Sequence, residues 1–251
     1  MITVGIDLAS QTTRTAACVL DWSEGTAAVA RLTLGVTDDD ILALISVATK
    51  AGLDVPLGWP VAFAEAVSQH SASGAWPGAY RHADNRAYRY RRTDLAVWRT
   101  LGTSPPLSVS TDRIALPAMR AASLLSLLPT PAALDGSGTV VEVYPAAALR
   151  RWGLTWRGYK RAENAGARSL LVGSLLDGTR WLKLSSIDRA LCLTSDDAFD
   201  ALVAALVARA AAVDLVEEVP EEEREAARRE GWIALPRAGS LAGLARATPT
   251  C

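Results

Sequence analysis

The chain is predicted to be an α/β fold: a mixed five-stranded sheet in the order βββαβαβα, flanked by helices, with an insertion after the fourth strand. Three observations carry this. Three strand-length apolar runs follow one another with separators too short for a crossover. A capped helix then leads into a fourth apolar run, and a long alanine-rich helix stands near the C-terminal end.

Residues 2 to 9 give the first run, ending at Asp7 in GIDLAS, and 14 to 22 and 26 to 34 give two more. Their separators, SQTT and SEG, suit hairpins, so an antiparallel meander is expected. Thr37 followed by Asp38, Asp39 and Asp40 has the form of an N-cap and an acidic first turn, with the helix running on to Gly52 as its stop. LDVPLGWP, residues 53 to 60, reads as a buried strand reached by a helical crossover. Residues 60 to 112 lose periodicity and collect Gly, Pro, Ser, aromatics and arginines, the composition of an insertion over the surface.

Helix returns at 113 to 128, and TVVEVYP, residues 139 to 145, is the next strand. The stretch from 146 to 184 is helical in pattern, with breaks near Gly153, Gly158 and Gly178, and is assigned as a helical lid. Ser195 caps DDAFDALVAALVARAAAVDLV, the clearest helix in the sequence. Residues 217 to 230 are rich in Glu and Arg, and GWIALP after them has the character of a late edge strand.

At 251 residues the chain is read as a single domain, and with 50% hydrophobic residues and a net charge of −1 neither disorder nor nucleic-acid binding by bulk charge is indicated. The opening lacks a signal-peptide pattern and no apolar run reaches membrane-spanning length, so a cytoplasmic protein without membrane attachment is expected. Cys18, Cys192 and Cys251 show neither CxxC nor Cys/His spacing, which argues against disulfides and zinc. A homodimer is compatible with the chain, but symmetric assembly leaves no dependable signature in one sequence.

A carboxylate in an apolar strand is costly unless its charge is compensated, and Asp7, Asp54 and Glu142 are each so placed. Asp197 and Asp200, three apart on one helix, can face the same way. If the first and fourth strands are parallel neighbours, Asp7 and Asp54 occupy matching ends and can share a hard cation, Mg2+ or Mn2+. Two such ions support phosphodiester hydrolysis without a nucleophilic side chain. Each acid also has a structural reading: Asp7 and Asp54 as turn acids, Glu142 as a solvated residue on a sheet face, Asp197 as a helix-dipole acid.

Residues 78 to 99 interleave Arg81, Arg86, Arg89, Arg91, Arg92 and Arg99 with Tyr80, Tyr88, Tyr90 and Trp98, a pattern able to hold phosphates and stack on bases. Alternatively, these arginines pair with the acids of 217 to 230. His70 and His82 are read as incidental loop histidines, and the other tryptophans as packing residues.

The ordered motifs GIDLAS, LDVPLGWP, RYRRTD, VEVYPAAALRRWG, YK and DDAFDAL resemble the family labelled domain of unknown function 429, regarded as predicted nucleases of ribonuclease H fold, over nearly the whole chain. DAFDAL also resembles the last acidic motif of resolvase-type members of that superfold. The resemblance implies Asp7, Asp54, Asp197 and Asp200 as metal ligands, with Glu142 as a further catalytic candidate matched only to the predicted-nuclease family. Arg89, Arg91, Arg92 and Lys160 are the corresponding substrate-binding candidates. The leading expectation is a metal-dependent nuclease acting on DNA or RNA. Two alternatives stand beside it: an ATP-binding phosphotransferase of actin and sugar-kinase type, suggested by GIDLASQTT, and a non-catalytic nucleic-acid-binding module of the same fold.

Overall fold

The computed structural model describes residues 1–77, 85–102 and 104–247. Tyr80, Arg81, His82 and Cys251 lie outside the described residues. Strands β1 (Ile2–Asp7), β2 (Ala16–Ser23) and β3 (Thr26–Leu34) form the expected antiparallel meander, and α1 (Asp38–Val47) returns the chain to β4 (Lys50–Asp54), parallel to β1. The N-terminus of α1 is the capping box that TDDD implies: the Thr37 side chain accepts from the Asp40 amide while the Asp40 carboxylate accepts from Thr37 N.

Helices α2 (Val61–Ser73), α3 (Arg86–Arg89), α4 (Arg92–Leu101) and α5 (Ala115–Leu125) precede β5 (Val140–Glu142), parallel to β4. The chain continues through α6 (Pro145–Arg151), α7 (Ala165–Gly178), β6 (Leu182–Lys183), α8 (Ser186–Thr194), α9 (Asp196–Ala212) and α10 (Arg224–Glu230). The sheet order is β5-β4-β1-β2-β3-β6, mixed and flanked by helices, consistent with the ribonuclease H-like arrangement.

Four expectations are corrected. Among the described residues the sheet has six strands rather than five, because Leu182 and Lys183 pair in parallel with Ala27 and Ala28 at the β3 edge. Gly52 is not a helix stop but the middle of β4, which begins at Lys50. Among the described residues from 60 to 112, helices α2, α3 and α4 stand where the sequence lacks periodicity; α2 buries only Ala66, and so shows no apolar stripe to read. GWIALP pairs through isolated bridges, Ile233 beside Glu142 and Pro236 beside Val216, rather than as a strand.

Strand alternation sorts the core onto two faces. Val4 and Ile6 of β1 and Ala51 and Leu53 of β4 pack with α1 and α5 on one face. On the other, Gly5 and Gly52, paired in register, face α9. A Cβ at Gly5 would lie 2.1 Å from Ala201 O and Ala205 N, and one at Gly52 would lie 2.6 Å from Ala204 O. Only hydrogen at both positions, against small alanines on α9, lets the helix backbone rest directly on the sheet. Every residue from Ala198 to Ala210 is buried, so α9 is a central helix covered on all sides. Thr3 Oγ1 donates to Ala205 O at 3.1 Å and accepts from Trp22 Nε1 at 2.8 Å, fixing the helix along β1.

Gly5→Ala is therefore expected to cost about 3 kcal/mol or more by displacing α9. Gly173→Ala, in α7 where an added Cβ meets nothing within 4 Å, should raise stability by roughly 0.5–1 kcal/mol. Urea unfolding of both variants checks the pair, and equal midpoints would remove the assigned role of Gly5.

Candidate metal centre

Asp7 and Asp54 end adjacent parallel strands and are direct register partners. Each follows its helix-facing glycine by two residues, so alternation turns both carboxylates toward α9. Asp200, buried on α9, completes the group: one carboxylate oxygen from each of the three lies within 4.8 Å of the others. Asp7, Asp54 and Asp200 can thus hold a metal ion among them.

Few donors satisfy this group. Among the described residues, no hydrogen-bond donor reaches the Asp7 or Asp54 carboxylate. Asp200 Oδ1 accepts from the buried Tyr159 hydroxyl at 2.8 Å. Its Oδ2 has no well-directed hydrogen bond, although Lys160 Nζ stands 2.6 Å away as an ion-pair partner. Burial pushes the Asp7 carboxyl well above its ordinary range, with Asp54 and Asp200 adding to the shift. Burial also raises Asp54, to about 7, against the opposing pull of Lys160. The Asp200 charge, outweighing burial, raises the Lys160 ammonium. Three carboxylates brought together with so few hydrogen-bond donors, and with one ammonium between them, suit a hard cation by their oxygen-only chemistry.

The remaining predicted residues separate by partner. Asp197 is not gathered into the group; it lies at the rim, where Arg14, in the turn between β1 and β2, donates to it at 3.0 Å. Glu142 pairs in register with Leu53, one residue short of Asp54, so alternation turns it to the opposite face. There it accepts from Arg91 at 2.7 and 2.6 Å and from Leu57 N at 3.0 Å. Burial raises the Glu142 carboxyl and Arg91 counters it. Its solvated reading fails, since the residue is 2% exposed, and its partners give it a structural place.

Arg91 is likewise no exposed phosphate contact. It is 2% exposed, and its guanidinium also pairs with Asp94, at 2.9 and 3.2 Å. Arg92 binds Glu223 through two bonds of 2.7 Å, and its amide donates to Glu230, which also accepts from Val61 N. The alternative pairing with the 217 to 230 acids holds for Arg92. Arg89 lies over the Tyr90 ring, with 5.1 Å from its guanidinium carbon to the ring centroid. Lys160 is set against the carboxylates, its ammonium 2.6 Å from Asp200 Oδ2, and its side chain lines the adjoining cavity.

Sequence reading missed Asp94, Tyr159 and Arg168. RYRRTD carries the first in an i,i+3 relation to Arg91, and YK carries the second. Arg168 gave no signal; buried in α7, it donates to the carbonyls of Tyr159, Arg161 and Leu193 and so clamps the segment that delivers Tyr159 and Lys160. A cavity of about 370 Å³ opens beside the group, lined by Asp7, Asp54, Tyr144 and Lys160, with Leu107 and Pro106 on its apolar side.

Arg91→Met would leave Glu142 and Asp94 buried without their cation and should cost roughly 3–5 kcal/mol in urea unfolding, part of it recovered by adding Glu142→Gln. Unchanged stability would refute the central role of the ion pair. Because the Asp54 pKa is raised on folding, its stabilising contribution is complete below the ordinary carboxylate range and lost as pH rises through about 7. The Tm of metal-free Asp54→Asn relative to the parent should therefore climb between pH 5 and 8, by roughly 2–4 °C for each kcal/mol relieved. A pH-independent difference would count against the shift.

No curated protein and no solved structure matches the chain. A family model described as "Protein of unknown function (DUF429)" matches residues 5–225, which takes in all three clustered aspartates, Lys160 and the Arg91–Glu142 pair. By that match over most of its length, the chain belongs to the DUF429 family.

Proposed function

We propose that this protein is a divalent-cation-dependent nuclease, hydrolysing phosphodiester bonds with Mg2+ or Mn2+ held by Asp7, Asp54 and Asp200. The observation that carries the reading is the convergence of three carboxylates from two parallel strands and one buried helix, largely without donors, beside a cavity. When bound, such a cation lowers the pKa of water and offsets charge on a phosphoryl group.

The chain's own residues supply position and exclusion. Tyr159 fixes one oxygen of Asp200, which sets the direction of the other. Arg120 donates to Ala9 O and Thr15 Oγ1 while paired with Asp38, holding the loop that follows Asp7. The Arg91 cluster provides a rigid wall beneath the cavity, so the insertion helices are fixed against the sheet. Arg86 and Arg89 lie over the Trp98 and Tyr90 rings, a cationic and aromatic surface suited to phosphates and bases of a nucleic acid. The free, buried thiols of Cys18 and Cys192 suit a reducing compartment, and a cytosolic setting belongs to the same proposal. Among the described residues, no helix is long and apolar enough to cross a membrane.

The test is a cleavage screen with Mn2+ and Mg2+ against branched DNA, single strands, duplexes and RNA–DNA hybrids, run with the parent and Asp7→Asn. Metal-dependent cleavage that falls by about 100-fold or more in the variant is expected. Cleavage equal in both proteins would mean a contaminant and overturn the reading, as would no cleavage of any substrate.

A further inference from the structure

The chain holds 3 lysines against 23 arginines, yet the cation set against the acidic group is a lysine. Two cation–carboxylate centres, built differently, stand close together. At the first, Arg91 is 2% exposed and locked by paired hydrogen bonds to both Glu142 and Asp94. At the second, Lys160 reaches a single oxygen of Asp200, at 2.6 Å, and its side chain is 52% exposed whereas Asp200 is 1% exposed. A planar guanidinium bound through several bonds is a permanent partner; an ammonium on a flexible stem, touching one oxygen, can withdraw toward water without disturbing its surroundings.

The backbone around Lys160 is held independently of its side chain. Arg168 binds the carbonyls on either side of it, Tyr159 donates to Asp200 Oδ1, and the Arg161 amide donates to Asp196. The strap is anchored by bonds that do not involve the ammonium. The oxygen that Lys160 approaches, Asp200 Oδ2, is also the one without a well-directed hydrogen bond.

We propose that Lys160 is a tethered counter-cation: it offsets the charge of Asp7, Asp54 and Asp200 in the metal-free protein and leaves Asp200 when a divalent cation enters. This rests on the metal-binding reading above. Lys160 acts as a positioning residue for the empty site, and occupancy of the cluster alternates between a chain-borne charge and a diffusible one. Its release turns the ammonium toward the cavity mouth, where an incoming phosphate would meet it.

Reductive 13C-dimethylation of the intact protein keeps each lysine charged and gives side-chain NMR signals from Lys50, Lys160 and Lys183 beside that of the N-terminal amine, with Lys160→Gln identifying the Lys160 signal by its loss. Saturation with Mg2+ should move the Lys160 signal toward that of a free lysine and leave the other two lysine signals in place. Calorimetric titration with Mn2+ should show Lys160→Gln binding roughly tenfold more tightly than the parent. A Lys160 signal unmoved while calorimetry shows the metal bound would overturn the exchange and leave the metal site standing. An affinity unchanged or weakened by Lys160→Gln would do the same, and absence of Mn2+ binding in both proteins would overturn the exchange and the metal reading together. The NMR readout uses the parent chain and does not depend on a variant folding.

Discussion

The distance between α9 and the sheet governs the rest of this structure. Helices usually rest on a sheet through layers of side chains, but here Gly5 and Gly52 remove that layer over β1 and β4, and Ala201, Ala204 and Ala205 present only backbone and methyl groups in return. The close seat buries α9 from Ala198 onward and brings Asp200, at its N-terminal end, to the strand ends where Asp7 and Asp54 emerge. A side-chain layer at either glycine would move the helix away, and the three carboxylates would no longer meet. Packing at the centre of the sheet and chemistry at its edge are two results of one contact.

Much of this was legible from local pattern. The meander follows from the short SQTT and SEG separators, α1 from its capping residues, and the pairing of Asp7 with Asp54 from the parallel placement of two short apolar runs. Gly52 misled because a glycine after an apolar helical run has the form of a C-terminal stop, and its true role depends on a helix about 150 residues later in the chain. Glu142 misled for a related reason: its strand was identifiable, but its face depends on a register that pairs it with Leu53. The helices of the insertion were obscured because α2 is mostly exposed, and the alternation of arginines with aromatics in 86 to 99 hid the short apolar stripe of α4, Val97 and Leu101. Asp200 was identifiable from DAFDAL, whereas the separation of Asp197 from the group depends on Arg14, distant in sequence.

The two charged centres show how one neighbourhood can hold acids for opposite ends. Around Glu142 every strong partner is supplied: it accepts from Arg91 and the Leu57 amide, and Arg91 in turn donates to Asp94 and the carbonyl of Glu230, a closed set in which Gly231 leaves room for the guanidinium. Its product is attachment, since it joins the segment around α4 to β5 and to the end of α10. Around Asp7 and Asp54 the partners are withheld, which leaves charge in a poorly solvated place and makes the site responsive to what enters it.

The spacing along β1 and β4 has a consequence for what this frame could become. Each strand carries its packing glycine and its acid two positions apart on one face, so the atoms that fix geometry and the atoms that supply chemistry belong to different residues. A side chain at position 7 or 54 can be exchanged without touching the contact that holds α9, and position 200 is borne by a helix already seated by its alanines. With imidazole or thiolate in place of carboxylate, the same three positions would offer softer ligands and select a different class of metal, the frame serving as a socket whose contents are separately chosen.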